Sequence, residues 1–240
     1  MNEHSLSKRL AMVGAEVPSG ARLADIGSDH AYLPTALMLE GKIQYAVAGE
    51  VVKGPFESAK RQVAKNGLSN KITVRLADGL AAVVPEDRID TVTIAGMGGT
   101  LIAHILDEGV RSGNLQKTER LILQPNVGEQ NVRQWLIANE YWIEREHILE
   151  ENDKIYEIIV ALPVTAAKID SRKGEYTEKE LFFGPLLAVE KSPIFLKKWQ
   201  KERQNRQRVW NQLQQAGTPQ TEKITEIKEQ LSWIEEILAD

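Results

Sequence analysis

The sequence predicts an α/β chain: a mostly parallel sheet covered by helices on both faces, followed by a purely helical tail. Three observations carry this. From Leu23 to Leu162, short runs of Val, Ile, Leu and Ala alternate with longer segments of helical periodicity. The strand runs end in loops that carry glycine or carboxylate residues, as at a ligand-binding sheet edge. Beyond Lys168 the strand pattern stops, and Glu, Lys, Gln and Arg dominate.

Residues 5–15 mix Leu6, Leu10, Met12 and Val13 with Lys8 and Arg9, which predicts an amphipathic helix ending near Gly14. Pro18-Ser19-Gly20 is a turn signal, and Leu23–Ile26 reads as a first buried strand. Ala31–Glu40 carries Leu33, Leu37 and Met38 at helical spacing, and Gly41 stops it. A strand over Tyr45–Val51, a surface helix over Lys53–Asn66 and a strand over Ile72–Leu76, ending at Ala77-Asp78-Gly79, come next. Ile89–Ala95 is the fourth strand and runs through Gly96-Met97-Gly98-Gly99 into a helix over residues 100–112. Arg120–Gln124 is a fifth strand, and Val127–Asn139 is a helix. Trp142–Leu149 and Ile155–Leu162, separated by the polar stretch Glu150–Lys154, predict an antiparallel hairpin. Seven strands closing on a hairpin are the layout of a Rossmann-like class I methyltransferase sheet, by analogy of fold alone. A nicotinamide-binding fold would keep its later strands parallel.

Pro163 marks the change of domain, giving expected units of 1–163 and 164–240. In the second unit Leu181–Leu187 and Lys191–Gln214 read as helices, with Pro185 and Pro193 as separators and Ala216-Gly217-Thr218-Pro219 as a turn. Ile224, Ile227, Leu231, Ile234 and Leu238 step by three and four residues, as on a coiled-coil seam. An antiparallel pairing of 191–214 with 221–239 would bury that seam; so would packing on a neighbouring domain.

Composition narrows the function classes. A chain of 240 residues holds one full α/β domain and a smaller unit. Its hydrophobic content of 42% with 27% charged residues is that of a soluble globular protein, and no apolar run is long enough to span a bilayer. The first residues carry no signal-peptide pattern, so a cytoplasmic location is expected. With no cysteine there is no disulfide, thiol nucleophile or thiolate zinc site, and the four histidines are far apart, so no metal is expected. The net charge of −4 leaves any attraction to nucleic acid to local patches.

The candidate chemistry sits in the loops after the first four strands. Asp25 and Gly27 close the first strand, Gly27 admitting close approach of a ligand to the backbone, and Ser28, Asp29 and His30 follow. Glu50 ends the second strand at the place of an acid that binds ribose hydroxyls. Asp78 can accept from an adenine amino group, with Gly79 giving the base room, and Gly96, Met97, Gly98 and Gly99 offer bare backbone after the fourth strand. Taken singly, each carboxylate also reads as a helix cap or a solvated side chain, and each glycine as a turn. Together they indicate an adenosine-type cofactor. The absence of a G-x-G-x-x-G loop after Asp25 argues against a pyrophosphate.

Leu6-Ser7-Lys8-Arg9-Leu10, the stretch from Ala24 to Pro34 (A-D-I-G-S-D-H-A-Y-L-P), Ala77-Asp78-Gly79-Leu80, Ala95-Gly96-Met97-Gly98-Gly99 and Gln124-Pro125-Asn126 resemble the bacterial tRNA (adenine-22-N1)-methyltransferase family, TrmK, over the whole chain. The resemblance implies a class I methyltransferase domain joined to a coiled-coil-like helical domain. It also implies S-adenosyl-L-methionine as cofactor and N1 of adenine 22 in tRNA as methyl acceptor. The chain departs from the wider methyltransferase pattern where Ser28, Asp29 and His30 replace further glycines, and it lacks the Asn-Pro-Pro-Tyr motif of amino-group methylation.

Methyl transfer from a sulfonium needs alignment above all, and N1 carries a lone pair without a proton. Asp29 is the candidate to offset the charge that develops on the ring or to accept from the adenine amino group; a helix cap is the alternative role. His30 orients Asp29, contacts the substrate, or is a plain loop histidine. Gln124 and Asn126 can present amides to the base edge, with Asn126 as an alternative cap for the next helix. In the tail, Lys191, Lys197, Lys198, Lys201, Arg203, Arg206 and Arg208 face only Glu190 and Glu202, a locally basic helix suited to tRNA. Trp199 and Trp210 interleave with it and also read as core. Arg9 extends the substrate surface by the resemblance. A monomer or weak dimer is expected. A non-catalytic RNA-binding adaptor and a small-molecule methyltransferase remain as alternative functions.

Overall fold

A computed structural model describes residues 5–165, 176–215 and 221–239. The chain forms two compact units, Met1–Glu175 and Tyr176–Asp240. The expected turn at 216–219 lies outside the described residues.

In the first unit the elements run α1 (Lys8–Glu16), β1 (Ala21–Ile26), α2 (Tyr32–Leu39), β2 (Ile43–Glu50), α3 (Lys53–Lys65), β3 (Ile72–Leu76), β4 (Thr91–Gly98), α4 (Gly99–Ser112), β5 (Arg120–Val127), α5 (Glu129–Ala138), β6 (Tyr141–Glu151) and β7 (Lys154–Pro163). Two short 3-10 turns, Gly79–Ala82 and Pro85–Asp87, fill the link between β3 and β4. The sheet order is β3-β2-β1-β4-β5-β7-β6. β1 to β5 are parallel, whereas β7 pairs antiparallel with both β5 and β6, so the hairpin closes the sheet as the polar break at Glu150–Lys154 predicts. Strand order reverses between β1 and β4, and in an open sheet the carboxyl ends at such a switch point form a crevice.

Apolar alternation sets which side chains face which helices. Leu23, Ala46, Ala48, Ile122, Ile158 and Val160 form one core with Val13 and Val17 at the end of α1 and with Leu33, Leu37 and Val63 from α2 and α3. α4 and α5 pack together and against β5. The hairpin is tied to α5 by the fully buried Arg133, which bonds Glu146 Oε1 at 2.6 Å and Glu157 Oε2 at 2.5 Å. α1 begins at Ser7, whose hydroxyl accepts from Leu10 N at 3.1 Å.

The second unit holds α6 (Glu178–Phe183), α7 (Leu187–Glu190), α8 (Pro193–Gln215) and α9 (Thr221–Ala239). Pro185 lies between α6 and α7, and Pro193 opens α8, where a missing N–H is harmless. α8 packs on α9, and Ile227, Leu231 and Ile234 of the seam are buried. Phe182, Phe183, Phe195, Trp199 and Trp233 form an aromatic cluster, with the Phe183 and Trp199 rings 4.5 Å apart. Trp199 therefore takes the core role. No helix among the described residues is long and apolar enough to cross a membrane.

Candidate active site

β1 lies between β2 and β4 and carries Asp25 to the carboxyl edge. The Asp25 carboxylate is buried and accepts from Ser28 Oγ at 2.5 Å and from Thr93 Oγ1 at 2.6 Å. Burial pushes its pKa up, and the two hydroxyl donors offset only part of that. Gly27 follows at φ +70°, and a Cβ there would overlap the Met97 methyl group, so the loop after β1 and the loop after β4 meet on bare backbone. The Gly49 carbonyl accepts from both Gly27 N, at 2.9 Å, and Ser28 N, at 3.2 Å, and holds this turn against β2.

Glu50 ends β2 as a second buried carboxylate, and its Oε1 accepts the backbone N–H of Asp29. Burial raises its pKa; the Asp29 N–H works the other way, and the nearby Asp29 and Asp25 charges push it up again. Asp29 and Ala31 both take left-handed backbone, at φ 54° and 55°. This geometry turns the Asp29 side chain outward, 60% exposed. Asp29 does not cap α2, whose N-terminus begins at Ala31 with no side-chain cap. His30 Nε2 stands 3.6 Å from Asp29 Oδ1, beyond hydrogen-bond range, and its ring lies 5.2 Å from that of Tyr32.

Asp78 is exposed after β3, joined to the edge by the bond from Ala77 N to Glu50 O at 2.8 Å. Asp78 and Gly79 border a cleft of about 320 Å³ that is also lined by Leu80, His104, Ile105 and Asn114. Among the described residues, neither Asp25 nor Glu50 pairs with a cation. Two buried carboxylates flanking a bare glycine suit a ligand that brings its own ammonium group and diol.

Across β4 and β5 the ladder is broken twice. Ala95 pairs with Gln124, Met97 with Pro125, and Gly98 with Val127, so Gly96 bulges from β4 and Asn126 bulges from β5. The two bulged residues bond to each other, Asn126 Nδ2 donating to Gly96 O at 2.7 Å. Gln124, fully buried, accepts from Gly96 N at 3.0 Å and from Arg9 Nη1, and donates to Pro125 O at 2.8 Å and Asn126 Oδ1 at 3.2 Å. Asn126 does not cap α5, whose first turn starts from Gly128. Gly98 is unobstructed, whereas a Cβ on Gly99 would overlap the Gly128 carbonyl.

The first unit thus links Asp25, Gly27, Ser28, Asp29, Glu50, Gly96, Met97, Gln124, Asn126 and Arg9 through consecutive contacts along one sheet edge. Several supports of this edge carry a weak sequence signal or none. Thr93 is a polar residue in a buried strand, which was a readable signal, and Val51 and Val52 stand exposed directly after Glu50. Tyr156, with its ring centroid 5.4 Å from the Arg9 guanidinium, and Glu151, whose Oε1 accepts Lys8 N at 2.7 Å, left no local signal.

In the second unit Lys197, Lys201 and Arg203 are exposed, and Lys198 Nζ lies 5.3 Å from the Trp199 ring centroid. Arg206 differs from the expectation of a substrate-facing cation. It pairs with Glu202 through Nη1, donates from Nε to Gln230 Oε1 at 3.0 Å and lies 5.1 Å from the Phe182 ring centroid, so part of its guanidinium is engaged within its own unit.

The sequence profile of the family described as tRNA (adenine(22)-N(1))-methyltransferase matches residues 23–236. A Bacillus subtilis (strain 168) protein of that same name is 45% identical over 241 aligned positions, covering 99% of each chain. The crystal structure of the B. subtilis M1A22 tRNA methyltransferase TrmK superposes with a TM-score of 0.87 at 44% identity, over 98% of this chain and 99% of that one. A Streptococcus pneumoniae putative tRNA (m1A22) methyltransferase, solved in complex with S-adenosyl-L-methionine, gives a TM-score of 0.85 at 43% identity, covering 98% of this chain and 100% of that one. The residues at the sheet edge and these full-length likenesses agree: the chain belongs to the tRNA (adenine(22)-N(1))-methyltransferase family.

Proposed function

We propose that the protein methylates N1 of adenine 22 in tRNA with S-adenosyl-L-methionine as the methyl donor. The observation that carries the cofactor is the pair of buried, cation-free carboxylates, Asp25 and Glu50, on either side of bare Gly27. The acceptor follows from the full-length relative. Asp25, with Ser28 and Gly27, is assigned to the amino-acid part of the cofactor and Glu50 to the ribose hydroxyls. Asp78 and Gly79 are assigned to the adenine, and Met97 and Gly98 to the wall on the β4 side.

Bound S-adenosyl-L-methionine supplies a methyl group activated by its sulfonium. The adenine N1 lone pair forms the new bond as the carbon–sulfur bond breaks, and no proton is removed beforehand. The protein's part is alignment and charge. Asp29, held outward by its bond to Glu50, offsets the positive charge that the ring acquires. His30 lines the substrate side. Reaching N1 in a paired base requires unpairing it first.

α8 supplies the grip on RNA. Lys197, Lys201 and Arg208 fall within about 40° of one another around a helix of 3.6 residues per turn. They share that outward side with Gln200, Gln204, Gln207 and Asn211, all exposed, and the helix's one carboxylate, Glu202, is paired with Arg206. Arg203 and Lys198 flank this stripe. A tRNA substrate supports a cytoplasmic location, and burial of Ile227, Leu231 and Ile234 supports a monomer or weak dimer. Incubation with labelled cofactor and unmodified tRNA, followed by nucleoside analysis, should yield 1-methyladenosine at position 22; label in another nucleoside or in none overturns the assignment.

A further inference from the structure

We propose that Asn126 reads the 6-amino group and N7 of the target adenine, in an amide orientation that Gln124 enforces. The inference rests on the reaction assigned above and goes beyond it to the basis of base selection. Each amide's orientation follows from partners of fixed polarity. Arg9 Nη1 and Gly96 N only donate, and both meet the same atom of Gln124, which must be its carbonyl oxygen. The Gln124 nitrogen then faces Pro125 O, which only accepts, and meets Asn126, so the Asn126 atom it meets is Oδ1. That leaves Asn126 Nδ2 against Gly96 O, again an acceptor. Every link agrees, and a flip of either amide would oppose like groups.

The same count separates the two residues. Gln124 is fully buried with both lone pairs and both N–H groups in use, so it has nothing left for a base. It is a positioning residue. Asn126 is exposed and keeps one lone pair on Oδ1 and one N–H on Nδ2. An asparagine fork of this kind matches the N6–H and N7 pair of adenine and leaves N1 open. Guanine would oppose its O6 to Oδ1, and a flipped Asn126 would reach that O6 only by turning Oδ1 onto N7, a second acceptor, while losing the match to adenine. The bulges at Gly96 and Asn126, on either side of the Met97–Pro125 pair, place this fork beside Met97, whose methyl meets Gly27, so it adjoins the cofactor loop.

The test uses full-length protein and ligated tRNAs that carry adenosine, 7-deazaadenosine or nebularine, which lacks the 6-amino group, at position 22. Wild type should lose about ten- to a hundredfold in kcat/KM on each analogue. Asn126→Ala should already be low on adenosine and lose far less on the analogues, because only the analogue's intrinsic reactivity then differs. Gln124→Glu keeps the acceptor for Arg9 and Gly96 but removes the donor to Asn126. Its second oxygen also faces Pro125 O, so the melting temperature should fall, but at a temperature where the variant is folded it should lose discrimination while cofactor affinity stays near wild type. Undiminished discrimination by Asn126→Ala overturns the reading role, and undiminished discrimination by Gln124→Glu overturns the positioning role. Wild type that leaves native tRNA unmethylated would instead overturn the assigned reaction.

Discussion

The backbone N–H of Asp29 donates to the carboxylate of Glu50, across the gap between the first two strands of the sheet. The bond joins the residue assigned to the cofactor ribose to the residue assigned to the developing charge, and it holds Asp29 in a backbone region that an aspartate occupies at a cost. Asp29→Ala should lower single-turnover rate about a hundredfold, with cofactor affinity changed by no more than about twofold. Asp25→Ala should chiefly weaken the cofactor. Glu50→Ala should do both, because releasing the 29–31 turn adds a loss of rate at saturating cofactor. Calorimetric titration beside single-turnover kinetics checks the division, and a Glu50→Ala enzyme with full rate at saturation would refute the coupling.

Asp25 predicts a pH signature. Burial raises its pKa in the folded chain, so the fold holds that proton more tightly than the unfolded chain does. Its contribution is fully present below the ordinary aspartate range and is lost as pH rises through the raised folded value. Asp25→Asn should therefore raise the melting temperature of the cofactor-free protein at neutral pH by about 2–4 °C. The gap to wild type should close in acid. Melting curves across pH measure this, and a variant less stable than wild type at neutral pH would contradict it.

Two adjacent glycines should answer the same substitution differently. A Cβ on Gly98 meets nothing, whereas one on Gly99 runs into the Gly128 backbone, which has no flexible end to move. Gly98→Ala should leave stability within about 0.5 kcal/mol, and Gly99→Ala should cost about 2 kcal/mol or more by forcing α4 from the end of β5. Urea unfolding of the two variants is the measurement.

The basic side chains of α8 divide in the same way. Replacing Lys197, Lys201 and Arg208 with Gln should weaken tRNA binding and lower the steepness of its salt dependence by about 2 to 3 in log–log slope. Arg206→Ala should reduce the melting temperature of the helical unit, because it breaks the Glu202 and Gln230 contacts, and leave the salt slope unchanged. Filter binding over a salt series separates these outcomes.

The succession of elements was legible from local pattern, because periodicity, glycine stops and proline placement act within a turn or a strand. The run from Ala24 to Pro34, with Glu50 and Asp78 at the next strand ends, pointed to an adenosine-type ligand at one edge for the same reason. That edge is set by strand direction alone. What only the tertiary structure decided are relations between distant residues. Arg9 meets Gln124 across 115 positions. Gly96 and Asn126 leave the ladder on either side of the Met97–Pro125 pair, and neither strand's sequence marks this, because a bulge belongs to a pair of strands. Gln124, expected at the base edge, is spent on its neighbours, and Arg206, expected on the surface, is spent on Glu202 and Gln230. The types of the donors and acceptors are written in the chain, but which of them are satisfied internally and which remain for a ligand depends on packing, where each buried polar group takes the nearest partner that folding supplies.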